Sequence, residues 1–390
     1  MRISLYLDPP SHHFLGDRLF DITFAGTCGD QFLAPYVFLK QHLNTRGIEV
    51  RTADFLPGKP DGALNLYVST GMLSRYRLLA AREDVVLSAF LAIECPTVEP
   101  ANYRELNRAQ RFFRRIYSWT SSSALEPFVG APLRCQRFHW PQSFEAVHER
   151  IWLQRERGFL VMINGNKSPR YPSLCPELYS ERLKAVEYFS RTRELNLYGV
   201  GWDGPKLLVG RPCVPGTFGM VPMPGTIQAL QRALLTRWQR IFPDPQLQAA
   251  RLVYRGTARS KAEVLGRHKF AICFENSILE GWITEKIFDC FFAGTVPVYW
   301  GAPDIERYIP SGCFIDMRQF SSYADLSRFL HSLSDSDIQG YKERARSYLA
   351  SPAYTPFTRQ AFAQLFVGII EEDAGVRLGG PVSAASKAGS

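Results

Sequence analysis

The chain has no run of about 18 consecutive apolar residues, the length a membrane-crossing helix needs. Its first ten residues, "MRISLYLDPP", lack the apolar centre of a secretory signal. The eight cysteines, at 28, 95, 135, 175, 213, 273, 290 and 313, never form a CxxC pair. They are scattered and several lie inside apolar runs such as "FAICF" and "FDCFF", which suits buried, reduced thiols better than a disulfide framework or a zinc site. These absences together predict a soluble cytoplasmic protein, with contact at the inner membrane through basic and aromatic surface as the one membrane role left open. The net charge of +9 fits an anionic substrate or surface. No RNP, helix-turn-helix or zinc-finger pattern accompanies it, so a nucleic-acid partner is not expected. A metal motif is also missing: "SDSD" at 334–337 contains a formal DxD, but it precedes a helical pattern and reads as an N-cap.

What is present is enough for two cores. At 390 residues with 46% hydrophobic and 13% aromatic content, the chain exceeds one ordinary domain. "RISLYLD", "IEVRTAD", "ALNLYVS" and "DVVLSAFLAIE" read as strands, with helical stretches such as "DQFLAPYVFLKQHLNTRG" between them. The pattern restarts at "RGFLVMINGN" and continues through the helix "CPELYSERLKAVEYFSR", the strands "ELNLYGVGW" and "HKFAICFEN", the helix "TEKIFDCFFAG" and the strand "TVPVYWG". Such alternation predicts parallel sheets covered by helices on both faces. The expected class is α/β, two Rossmann-like doubly wound domains facing a cleft. The expected division is an N-terminal domain over 1–150, a C-terminal domain over 151–350, a closing helix over 351–370 and a flexible tail over 371–390. Four polar clusters, "ECP", "NGNK", "YGVGW" and "FEN", directly follow predicted strands. Those are the places where open parallel sheets bind ligands.

The densest polar cluster is "FENSILEGWITEK". Thr284 reads as the N-cap of the following helix, with Glu285 and Lys286 in its first turn. A lysine there opposes the helix dipole, which points to a bound anion. Glu285 reads equally as a first-turn acid or an acceptor for a ribose hydroxyl, and Asn276 as a turn residue or a contact to a base or sugar.

"FENS", "TEK" and "AGTVPVYWG", dense over 268–310, resemble the signature of the α1,3/α1,4-fucosyltransferases, glycosyltransferase family 10, in a bacterial-type form. The resemblance implies the GT-B architecture, with acceptor binding in the first domain and GDP-sugar binding in the second, and inverting transfer of L-fucose from GDP-β-L-fucose to a glycan hydroxyl, by one displacement and without a metal. Carried across, Asn276, Glu285 and Lys286 fall on donor-binding positions, and Trp282 stands where relatives carry tyrosine. Arg182, in the helix leading to "YG" (Tyr198 and Gly199), matches the arginine that binds the GDP phosphates, with Arg170 as the competing candidate; Lys261 reads as a helix-start residue. The family's glutamate base lies in an E-x-P context, matched by Glu94 in "AIECPTVEP", with Glu99 as alternative. A carboxylate ending an apolar strand is expected to hold its proton more tightly than usual, which suits a base. Acceptor choice is expected in loops 8–19, 26–31, 70–82 and 94–104, with an N-acetylglucosamine-type residue as the family default. Another GDP-deoxysugar, or a non-catalytic nucleotide-sugar or carbohydrate binder, is the alternative.

Overall fold

The computed structural model describes residues 2–24, 31–154, 156–170, 175–209, 213–216, 219–222 and 245–378, with 230, 233, 234 and 237 between them. Cys28, loop residues 26–30, Arg155 and the tail from 379 lie outside the described residues.

The chain forms two compact units, each discontinuous in sequence. The first comprises Met1–Glu94, Asn102–Glu145 and Tyr354–Ser390, the second Cys95–Ala101 and Ala146–Ala353. The join between Glu145 and Ala146 lies near the expected 150/151 division. The segment after Glu94 groups with the second unit, and the C-terminal helix groups with the first.

In the first unit, β1 (Arg2–Asp8), β2 (Glu49–Thr52), β3 (Ala63–Thr70), β4 (Val85–Ala92), β5 (Arg115–Ser118) and β6 (Gln136–Arg137) form one sheet in the order β2-β1-β3-β4-β5-β6. Every pairing is parallel. β1, β3 and β4 are buried almost throughout because helices cover both faces, and so they read as apolar runs rather than as alternation. The helices include α1 (Ala34–Asn44), α2 (Tyr76–Leu79), α3 (Pro100–Ala109) and α4 (Ser122–Val129). The C-terminal helix Arg359–Ala374 returns to this sheet: Phe362 meets Tyr36 of α1 edge-on at 6.0 Å. Asp373 near its end pairs with Arg114 at 2.9 Å and with Arg115 at 2.8 Å. Helix thus continues past 370, where a flexible tail was expected, since Asp373 is held by two arginines.

The second unit begins with α5 (Glu149–Trp152) and β7 (Gly158–Ile163), followed by α6 (Tyr179–Thr192) and β8 (Leu195–Tyr198). α7 (Pro245–Val253) and α8 (Lys261–Gly266) lead to β9 (His268–Phe274), α9 (Glu285–Ala293), β10 (Val296–Trp300) and β11 (Ile315–Asp316). The sheet order is β11-β10-β9-β7-β8, again all parallel. The chain order reverses between β7 and β9, which makes a topological switch point beyond their carboxyl ends. Helices Tyr323–Ser332 and Asp335–Leu349 close this unit. Ser334 and Asp337 form a reciprocal capping box at the second of them, as the N-cap reading of "SDSD" predicts. Among the described residues no helix is long and apolar enough to cross a membrane.

Candidate active site

β9 ends at Phe274, and the next residue carries a charge into the interior. Glu275 is fully buried. Its carboxylate accepts from the Thr284 amide at 2.8 Å, from Thr284 Oγ1 at 2.9 and 2.8 Å and from Lys286 Nζ at 3.1 Å. Gly301 leaves room for it: a Cβ there would lie 2.5 Å from Glu275 Cγ. A buried carboxylate is tolerated when donors replace the water it loses, and here three groups do so: the Thr284 amide, the Thr284 hydroxyl and the Lys286 ammonium.

Two expectations about the helix start need correction. Thr284 occupies the N-cap position of α9, but its side chain makes no cap hydrogen bond; its hydroxyl serves Glu275 instead. Lys286 is not left unpaired against the helix dipole. It lies between Glu275, Thr284 Oγ1 at 2.8 Å and Glu285 at 3.6 Å. Its position therefore has an internal explanation, and the lysine alone does not imply an anion.

Burial opposes ionisation of Glu285, but the ammonium groups of Lys286 and Lys261, with backbone and Thr284 hydrogen bonds, overcome it and hold its carboxyl down to about 2. Burial likewise works against the charge on Lys286, and Glu275 and Glu285 reverse that effect and raise it. Lys261, the first residue of α8, pairs with Asp289 one turn into α9 at 3.2 Å. These residues line one pocket with Asn164, which directly follows β7. The pocket lies at the switch point.

Arg182 reaches the same strand end from the first turn of α6. It is only 3% exposed, and its Nη2 donates to the Phe274 carbonyl at 2.6 Å and to Asn276 Oδ1 at 3.0 Å. Its guanidinium lies 4.9 Å from the ring of Tyr179. Its buried Nε has no hydrogen-bond partner among the described residues. Desolvation lowers the arginine's proton affinity, and Glu275 and Glu285 work the other way.

The structure thus gathers two groups at the end of β9, Arg182 with Asn276 and Glu275 with Thr284 and Lys286, and Glu275 is a residue the sequence reading had not singled out. The signal was available: a glutamate directly after the continuous apolar run "FAICF" must be buried and therefore partnered. Trp282 is 1% exposed and forms part of the interior. Tyr198 ends strand β8 and Gly199 directly follows it. Gly199 has φ +135°, and a Cβ on it would lie 2.1 Å from the Asn164 carbonyl oxygen. Only glycine fits there, and it fixes the backbone of pocket residue Asn164. Arg170 bonds through its amide to the Val209 carbonyl at 2.9 Å, on the small parallel pair 167–169 and 207–209.

In the first unit, Glu94 lies just beyond β4 and lines a small pocket with Gly71, Ile93, Asn102 and Tyr103. Tyr103 Oη donates to its backbone carbonyl at 2.6 Å. Glu99 falls in the segment that groups with the second unit. That segment is clasped there, with Ser277 Oγ donating to Thr97 Oγ1 at 2.7 Å and the Cys95 thiol 3.7 Å from the same hydroxyl. Among the described residues, no group of three or more His, Cys, Asp or Glu is arranged to hold a metal.

Residues 248–348 match the family model described as "Glycosyltransferase family 10 (fucosyltransferase) C-term". This stretch carries the family 10 signature. It contains α8, β9, α9 and β10, and so most of the cluster around Glu275. Over 99 residues the chain is 31% identical to the α-(1,3)-fucosyltransferase FucT of Helicobacter pylori, covering 25% of this chain and 21% of that protein. Over 75 residues it is 40% identical to the GDP-fucose protein O-fucosyltransferase 3 of Xenopus laevis, covering 19% of this chain and 16% of the other. The chain therefore spans about a fifth of the length of the curated relatives it matches. The fold likeness is wider: the structure of Anabaena Alr3699/HepE in complex with UDP-glucose aligns over 96% of this chain and all of that one, at TM-score 0.51 and 12% identity. The expected α/β GT-B class with two Rossmann-like sheets is borne out.

Proposed function

We propose that the protein is an inverting fucosyltransferase that moves L-fucose from GDP-β-L-fucose to a hydroxyl of a glycan acceptor. The observation that carries this reading is the family 10 signature folding into a switch-point cluster of Arg182, Asn276, Glu275, Lys286 and Glu285, in which the buried arginine Nε has no partner among the described residues. In this reading Arg182, Lys286 and the first amides of α9 receive the diphosphate. Asn276 and Glu285 take hydroxyl groups of the donor, and Tyr198, Gly199 and Trp282 shape the surrounding wall.

Glu94 removes the proton from the attacking acceptor hydroxyl. The acceptor oxygen forms its bond to the anomeric carbon as that carbon's bond to the β-phosphate oxygen breaks, the proton passes to Glu94, and GDP leaves with the electron pair. The cations hold the charge that develops on the leaving group, so no step calls for a metal. One displacement turns the β-linked donor sugar into an α-linked product. An N-acetylglucosamine-type residue fucosylated at O3 is the proposed acceptor, in the cytoplasm. Protein glycosylation is the second acceptor reading, favoured by the similarity to protein O-fucosyltransferase 3.

Calorimetric titration with GDP, UDP and ADP tests the donor half of this proposal. Micromolar GDP binding that weakens at least tenfold in Arg182→Ala and Lys286→Ala is expected. Equal affinity for the three nucleotides, or unchanged binding in both variants, would overturn it.

A further inference from the structure

The first unit carries a basic, partly apolar surface on α2 and α3, whose segments also supply Gly71, Asn102, Tyr103 and Leu106 to the Glu94 pocket and overlap the loops expected to choose the acceptor. Segments 71–80 and 100–112 contain five arginines against one glutamate, and one of the five, Arg75, faces the buried Asp8 carboxylate at 3.9 Å. Arg104 and Arg108 share one face of α3, and Arg111 extends the row in the turn that follows; all three are exposed. The glutamate, Glu105, is already neutralised by Arg77 at 2.6 Å. Tyr76 of α2 also bonds to Glu105 and holds the Phe112 ring at 5.5 Å, so α2 lies alongside this part of α3. On the same two elements, Leu78 of α2 is 79% exposed and Phe112, just after α3, is 44% exposed.

We infer that this α2–α3 face docks the protein on an anionic lipid bilayer. A soluble polyanion would satisfy the arginines but leave Leu78 and Phe112 in water. A bilayer takes both, with guanidinium groups at the phosphates and the two apolar side chains below them. The surface would hold the enzyme where lipid-linked acceptors are found. The inference does not depend on the donor reading, because lipid binding and GDP binding are measured separately.

The test is co-sedimentation of the full chain with vesicles of phosphatidylcholine alone and of phosphatidylcholine with 30% phosphatidylglycerol. The inference predicts binding to the anionic vesicles only, reversed by 0.5 M salt. Arg104→Gln/Arg108→Gln/Arg111→Gln should lower the partition coefficient about 100-fold, from the usual contribution of each arginine near an anionic leaflet. Leu78→Ser/Phe112→Ser should lower it at least tenfold. Both variants change exposed residues and should bind GDP as the parent does. Equal binding to neutral vesicles, or no binding to either, would overturn the inference. So would full retention in the serine variant, which would mark the face as a site for a soluble polyanion.

Discussion

Replacing Glu275 with glutamine tests whether this residue organises the site. The amide keeps the shape and one acceptor for the Thr284 amide, but it removes the negative charge facing Lys286 3.1 Å away. Breaking a buried ion pair from one side costs about 3–5 kcal/mol. The Lys286 side chain is 18% exposed and retains Thr284 Oγ1 and Glu285, which places this case at about 2–3 kcal/mol. For a unit of this size that corresponds to a melting-point fall of about 5–10 °C. Lys286→Met leaves the carboxylate buried with only the Thr284 donors and should cost a similar amount. The double variant should then be less destabilised than the sum of the two by about 2 kcal/mol. Urea denaturation of the four proteins measures this directly. A Glu275→Gln variant that melts within 2 °C of the parent, or costs that simply add, would refute the central role given to Glu275.

Three further outcomes follow from particular residues. Burial first, and then Arg137, pushes the His139 imidazole down from 6.5 to about 4. Its contribution is complete above pH 6.5 and lost as the pH falls toward 4, so the first unit should lose about 2 kcal/mol across that window, and His139→Phe should flatten the curve. Gly199→Ala puts a Cβ 2.1 Å from the Asn164 carbonyl oxygen at a φ of +135°; it should abolish GDP binding, or soluble expression, whereas alanine at Gly58, where nothing lies within 4 Å, should be neutral. Transfer assayed in excess EDTA should match the untreated rate, and a loss restored by a divalent cation would contradict the metal-free scheme.

The strands and the two-sheet class were legible because fully buried parallel strands leave continuous apolar runs, as in "FAICF" and "TVPVYW". The Ser334 cap was legible because its partners are three residues apart. Contacts of long sequence separation were not. The return of the helix Arg359–Ala374 to Arg114 and Arg115 spans about 260 residues, and no local pattern encodes it. The grouping of Cys95–Ala101 with Ser277 is of the same kind, since its hydrogen bond joins positions 180 apart. Within the site, residue types at strand ends were readable, but their pairing was not. Thr284 looks like an N-cap in sequence because the competing acceptor, Glu275, lies nine residues away through a loop whose path only the fold determines.

The most direct test of the proposed chemistry is GDP release by purified protein with GDP-fucose and a panel of N-acetyllactosamine-type acceptors, run beside Glu94→Gln. Acceptor-dependent release that falls by at least about 100-fold in the variant, while GDP affinity is unchanged, is the predicted result. Equal release by the variant and the parent would contradict the assignment of Glu94 as the base.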